Sequence, residues 1–168
     1  MCGICGIVCS DSNRQVDHSV LDLMSKSLLH RGPDSHDSWY GRGIGFSHRR
    51  LTILDVTSAS NQPMVDNQTG VVITYNGEIY NYIEIRKKLT NKGHTFTSTG
   101  DTEVLLKAYI EWKYDLLMQV NGMFAFSIYD PRDDTVFFAR DPFGQKPLFY
   151  YYYEEGVIFS SELNSLLE

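Results

Sequence analysis

A cysteine stands directly behind the initiator methionine, in the opening Met1-Cys2-Gly3. Aminopeptidase trimming favours small second residues. Once Met1 is gone, Cys2 carries a thiol and a free α-amine on one residue. An α-amine titrates at about 7.7–8.0 and a free thiol at about 8.5, so near neutral pH the pair can trade a proton. That is a nucleophile with its base built in, the arrangement in which an N-terminal amine activates Thr or Cys. A second-position cysteine alone is more often inert than reactive, and the rest of the chain has to supply what the chemistry needs.

Three further segments each suit one step in attacking an amide. Asn76-Gly77 offers a side-chain NH2 and a backbone N–H in consecutive positions. Two such donors make an oxyanion hole for the charge that grows on a carbonyl oxygen under thiolate attack. Arg50, at a strand end, can hold a carboxylate with two parallel hydrogen bonds. Glu78 and Asp101 can receive an ammonium group. Taken singly, Asn-Gly is most often a turn, Arg50 a solvated edge residue, and Glu78 and Asp101 surface charges or helix caps. Taken together they describe a pocket for a zwitterionic amino acid with a carboxamide side chain.

The elements that must position these residues follow from local pattern. Gly3–Cys9 is an apolar run bounded by Ser10-Asp11-Ser12-Asn13, a buried strand with Cys2 at its head and Cys5 and Cys9 on one face. Val20, Leu21, Met24 and Leu28 recur at helical spacing, giving a helix over about Asp17–Leu29 that Arg31-Gly32-Pro33-Asp34 ends. Trp39-Tyr40 and Ile44–Leu51 read as strands around the hairpin turn Gly41-Arg42-Gly43, which no helix follows, so phosphate binding there is disfavoured. Thr57–Thr69 reads as a loop, and Val71–Tyr75 as a strand meeting a turn at Asn76-Gly77.

Tyr82–Leu89 predicts a helix with a stop at Asn91-Lys92-Gly93, and Thr95–Thr97 a short strand. Gly100–Glu103 opens another helix, with Asp101 or Thr102 as its cap. Phe124, Phe126 and Ile128 then alternate with Ala125, Ser127 and Tyr129, followed by a turn at Asp130–Asp134 and a strand over Thr135–Ala139. Leu148–Tyr153 and Val157–Ser160 form a last hairpin, and Glu162–Glu168 begins a helix. Strands in succession with segregated helices predict an α+β domain with largely antiparallel sheets.

Composition narrows the function class. The 168 residues suffice for one domain with a real core, and 42% hydrophobic with 21% charged residues excludes disorder. A net charge of -6, with basic residues only in short groups, makes no nucleic-acid surface. No apolar run reaches the length of a membrane span and no signal peptide opens the chain, which points to the cytoplasm. The three cysteines, Cys2, Cys5 and Cys9, lie too close together for a disulfide framework. Cys2-Gly3-Ile4-Cys5 has no second ligand pair downstream to complete a zinc site, so Cys5 and Cys9 read as small core residues.

The order of the motifs carries a resemblance. Met1-Cys2-Gly3-Ile4, His30-Arg31-Gly32-Pro33-Asp34, Arg50–Asp55, Tyr75–Asn81, Gly100–Glu103, Asn121–Phe126, Arg140–Leu148 and Phe159–Glu162 together resemble the glutaminase domain of glutamine-hydrolysing asparagine synthetases. The resemblance runs over essentially the whole chain, 1–168, within the class II glutamine amidotransferases. It implies a four-layer αββα sandwich of the N-terminal nucleophile hydrolase type with two mainly antiparallel sheets. It also implies that Cys2, freed of Met1, attacks the side-chain amide of L-glutamine with its α-amine as base.

By position, Asn76 and Gly77 would form the oxyanion hole, Arg50 would bind the substrate carboxylate, and Glu78 and Asp101 its ammonium. Backbone groups of Leu51, Thr52, Ile53 and Leu54 would line the pocket. Arg31–Asp34 would support the site, and Arg140–Pro147 would face a partner domain and the ammonia route. No metal or organic cofactor is implied for this half-reaction. ATP and magnesium belong to the synthetase domain that relatives carry, and no ATP-binding Ser-Gly-Gly loop occurs in this sequence. The expected last helix is cut mid-pattern at Glu168, so a fragment or excised domain is expected over a stand-alone module. Two alternatives stay open: an acceptor other than aspartate, such as a sugar carboxylate, and a non-catalytic glutamine-binding module.

Overall fold

The computed structural model describes residues 1–55 and 57–168. Alternating burial builds two sheets. One has the order β2 (Ser35–Gly41), β3 (Ile44–Arg50), β1 (Gly3–Cys9), β9 (Gly156–Ser160), β8 (Phe149–Tyr153). The other runs β4 (Met64–Val65), β5 (Val72–Ile79), β6 (Gly122–Asp130), β7 (Thr135–Arg140). Every pairing is antiparallel.

The central strands are buried on both faces because each sheet is covered twice, whereas the outer strands β2 and β8 stay partly exposed. Ile4, Phe46, Val72, Ala125, Tyr129 and Phe159 pack between the sheets. Cys5, Ile7 and the partly buried Cys9 point the other way, onto α1 (His18–Ser27) with Leu21, Met24 and Leu28. Ile73, Tyr75, Phe124 and Phe126 pack under α2 (Tyr82–Asn91) and α3 (Asp101–Trp112) through Ile85, Leu89, Leu105 and Tyr109. The four layers, helix, sheet, sheet and helices, are the αββα sandwich the resemblance implies.

Four local expectations are corrected. Asn76-Gly77 is not a turn: β5 continues to Ile79, with Asn76 paired to Ala125 and Gly77 to Phe124. Glycine stands there for close approach, since a Cβ would lie 2.4 Å from the Met123 carbonyl oxygen and 2.7 Å from the Tyr75 ring. Thr95–Thr97 forms no strand, because the Thr97 and Ser98 N–H groups donate to the Glu103 carboxylate instead of a neighbouring chain. The segment after Glu162 winds only a 3₁₀ turn, Leu163–Leu166. The loop expected over Thr57–Thr69 holds a 3₁₀ turn at Ser58–Ser60 and the short β4.

The Arg31–Asp34 loop ties the ends of β1 and β3 together. A Cβ on Gly32 would sit 2.3 Å from the Arg49 carbonyl, against backbone that cannot yield. We predict that Gly32→Ala lowers stability by about 1–3 kcal/mol through this forced backbone shift. Urea titration checks it, and an unchanged midpoint would refute the packing argument.

Candidate active site around Cys2

Register brings the head of β1 to the end of β3. Gly3 pairs with Arg49, so Cys2 falls beside Arg50. The Cys2 Sγ sits against the Leu51 backbone, accepting from its N–H at 3.4 Å and donating to its carbonyl at 3.5 Å. Arg31 Nε donates to the Cys2 carbonyl at 2.9 Å, and Arg31 Nη1 is held by Glu162 at 2.9 Å. Asp34 closes the clamp. Its N–H donates to the Arg50 carbonyl at 3.0 Å and its carboxylate accepts the Thr52 N–H at 2.7 Å.

Burial pushes the Cys2 thiol above its ordinary range. The Leu51 N–H, the N-terminal charge, Arg50 and Lys146 each pull the other way. The sulfur is therefore a protonated thiol surrounded by groups that favour its anion.

Cys2, Arg50, Leu51, Ile53, Leu54, Gly77, Glu78 and Asp101 line one cleft. Thr52 is not among the lining residues, its N–H being spent on Asp34. Asn76 is not among them either. It lies on the face of β5 shared with Val72, toward the sheet that carries Cys2, and is 2% exposed. Its Nδ2 is buried without a hydrogen-bond partner among the described residues. A buried donor left unmade costs about 1–3 kcal/mol.

Arg50 is no solvated edge residue. Its Nη1 donates to the Thr57 carbonyl at 3.0 Å and to Asn61 Oδ1 at 2.7 Å, and its Nη2 to the Asp55 carbonyl. The guanidinium thus anchors Asp55, Thr57 and Asn61 beside the cleft. Its Nε and the second Nη2 hydrogen make no contact with a protein acceptor among the described residues.

Asp101 does not cap its helix, where Gly100 is the N-cap. Its Oδ2 instead accepts the Tyr75 hydroxyl at 2.7 Å and the Ile79 N–H at 2.9 Å. Burial raises the Asp101 pKa against those two donors, with Glu78 adding to the rise. Burial also keeps Tyr75 a phenol, with the Asp101 charge reinforcing it. His48, buried two residues before Arg50, is held neutral with its pKa lowered to about 3 by burial. Its Nε2 reaches the Tyr75 carbonyl at 3.1 Å, so Nε2 carries the proton.

Five further residues line the cleft: Tyr75, Gly100 and Thr102, which lie in motifs the sequence marked without assigning them to the pocket, and Ser60 and Gln62, which carry no signal in the sequence. Gln62 bridges the walls, accepting from the Tyr75 N–H at 2.6 Å and donating to Thr102 Oγ1 at 3.3 Å. Ser60 Oγ is buried and unpartnered among the described residues. Both sit in a polar stretch with no periodicity to mark them. Among the described residues no three His, Cys, Asp or Glu side chains group as a metal site, and no helix is long and apolar enough to cross a membrane.

The four-layer fold with a thiol at the head of its first strand is the fold of the N-terminal nucleophile amidotransferases. Glutamine phosphoribosylpyrophosphate amidotransferase from B. subtilis, solved with ADP and GMP, superposes with a TM-score of 0.77 at 19% identity, covering 98% of this chain and 42% of that one. A structure of the allosteric regulatory enzyme of purine biosynthesis gives 0.75 at 19% identity. At that identity the likeness establishes the fold. The chain belongs to the glutamine amidotransferase domain family, whose model matches residues 1–168.

Among sequence relatives, asparagine synthetase [glutamine-hydrolyzing] 1 of Bacillus subtilis is 40% identical over 99% of this chain and 27% of its own length. A putative asparagine synthetase [glutamine-hydrolyzing] 2 of Methanocaldococcus jannaschii is 37% identical over 99% of this chain and 35% of its own length. Asparagine synthetase [glutamine-hydrolyzing] 1 of Arabidopsis thaliana is 36% identical over 99% and 28%. The chain thus spans about a quarter to a third of the curated relatives it matches.

Proposed function

We propose that residues 1–168 form one domain that hydrolyses L-glutamine through a thioester on Cys2. The ammonia passes to an ATP-dependent synthetase domain, in cis or in trans, of the kind that makes asparagine. The observation that carries this reading is one cleft holding a thiol, a guanidinium and two carboxylates. That set complements the carboxylate and ammonium of an amino acid while its side-chain amide meets the sulfur.

The chemistry begins once Met1 has been removed. The Cys2 α-amine accepts the thiol proton and the thiolate adds to the carboxamide carbon. The carbonyl electrons move to an oxyanion, which Asn76 Nδ2 and the Gly77 N–H stabilise. The α-ammonium returns its proton to the amide nitrogen, the C–N bond breaks, and ammonia leaves. Water, deprotonated by the same amine, then cleaves the thioester to glutamate and regenerates the thiol.

Substrate binding divides among the remaining groups. Arg50 offers the edge formed by Nε and Nη2 to the substrate carboxylate, a two-bond geometry. Glu78 and Asp101 take the ammonium, and Leu51, Ile53 and Leu54 form the wall beside them, while Thr52 is engaged by Asp34 outside the lining. No metal or organic cofactor enters this half-reaction; ATP and magnesium serve the synthetase domain. We place the enzyme in the cytoplasm, and a net charge of -6 with basic residues only in short groups supports a partner set without nucleic acid.

The test is glutamate release from L-glutamine by protein whose intact mass shows loss of Met1. Release is expected from that form and not from protein retaining Met1. A processed protein that releases no glutamate would overturn the reading.

A pH prediction follows from Asp101. Its carboxyl protonates at higher pH than an ordinary aspartate, so its charge is lost earlier on acidification. The KM for glutamine should climb as pH falls from about 8 toward about 5, earlier than an ordinary carboxylate would dictate. In Asp101→Asn the KM should be high throughout and lose that acid-side rise. A wild-type KM flat over the range would remove Asp101 from ammonium binding.

A further inference from the structure

Lys146 is the unexplained charge beside the site. It is 7% exposed, yet no carboxylate pairs with it among the described residues. Lysines this buried are ordinarily paired, because an uncompensated buried charge is costly. The contact its ammonium does make is with Met1 Sδ, at 3.5 Å, and a thioether is a weak acceptor. Among the described residues, the one acceptor it touches is thus in the residue that processing removes.

The segment that carries Lys146 is built rigidly. Asp141 is 3% exposed, and its carboxylate accepts the N–H groups of Phe143 at 3.1 Å, Gln145 at 2.9 Å and Lys146 at 3.0 Å. Arg140 Nε closes the other side on the Lys146 carbonyl at 2.8 Å. Its backbone is therefore fixed by groups that no change in the Lys146 side chain touches. The side chain alone reaches the N-terminus.

Resting on the glutaminase reading above, we propose that the Lys146 ammonium is an electrostatic partner of the processed N-terminus, keeping the Cys2 α-amine neutral and stabilising the Cys2 thiolate. Both follow from one placement, since a nearby cation disfavours a second cation and favours an anion. Its field adds to that of Arg50 on β3, while Arg31 holds the Cys2 carbonyl and is itself neutralised by Glu162. The opposing charges are Glu78 and Asp101, the other titratable groups that line the cleft along with the Tyr75 phenol. The Arg50 charge is the one that the substrate carboxylate would neutralise on binding, which leaves Lys146 as the cation facing the N-terminus. Lys146 is thus a positioning residue acting through Cys2, with no contact to glutamine required.

The experiment compares unaltered protein, Lys146→Met and Lys146→Arg, each confirmed by intact mass to lack Met1. Iodoacetamide alkylation of the Cys2 peptide is followed by mass spectrometry across pH. This readout needs no turnover, so it stays informative whether or not glutamine is the substrate. In Lys146→Met the alkylation profile should move to higher pH, with the rate at neutral pH falling about three- to tenfold. Lys146→Arg, which keeps the charge, should restore most of the rate. An unchanged profile in Lys146→Met, or a Lys146→Arg protein that behaves like Lys146→Met, would overturn the proposal. Parallel glutamate assays separate the two readings: a shifted profile without glutamate release in unaltered protein would sink the glutaminase assignment and leave Lys146 in place.

Discussion

Cys2→Ala is expected to abolish glutamate release, with a loss on the order of 10⁴–10⁶ in kcat as found when a nucleophile that acts as part of a unit is removed. The loss should be chemical and not structural. Among the described residues the thiol hydrogen-bonds only the Leu51 backbone, through weak sulfur contacts, and Cys2 is partly buried just before β1. The variant should therefore unfold at nearly the same urea concentration as the parent. Arg50, Glu78 and Asp101 remain in the cleft, so glutamine should still bind, and calorimetry should report an affinity close to the parent's. Glutamate production at the parental rate by the alanine protein would mean that some other group attacks the amide.

Asn76→Ala is the second large effect, and its signature differs. Loss of one oxyanion-hole donor costs about 10²–10³ in kcat, with KM little changed because the interaction strengthens only as charge develops. A bland structural role for Asn76 makes the opposite forecast. Its Nδ2 is buried with no partner among the described residues, so removing it relieves an unmet donor and should leave stability equal or slightly higher. A slow enzyme with undiminished stability would assign the donor to the transition state. A destabilised protein with normal kcat would assign it to the core.

Much of the layered fold was legible because alternation survives burial on both faces. The β6 alternation of Phe124, Phe126 and Ile128 with Ala125, Ser127 and Tyr129 is a two-residue period, and both sets turn out to be core. What was not legible depends on partners far away in sequence. Asn-Gly is a turn signal only where no strand lies alongside, and β6 supplies a partner for each residue from Val72 to Ile79. Asp101 looked like a helix cap because nothing local announces that Tyr75 and Ile79 will reach it from another element. Gln62 and Ser60 sit in a stretch whose composition says only loop.

By itself the sequence determined the reactive terminus, the family to which the chain belongs and the order of the segments that surround Cys2. Those are properties of residue type and spacing, which need no knowledge of what touches what. Only the tertiary structure decided that Asn76 keeps an unspent donor, that Arg50 anchors the neighbouring segment, that Asp101 is buried enough to hold its proton longer, and that Lys146 reaches the N-terminus across 145 positions. The physical reason is common to all four. Desolvation and hydrogen-bond partnership are set by which sheet faces which, and that is fixed by packing across the whole chain.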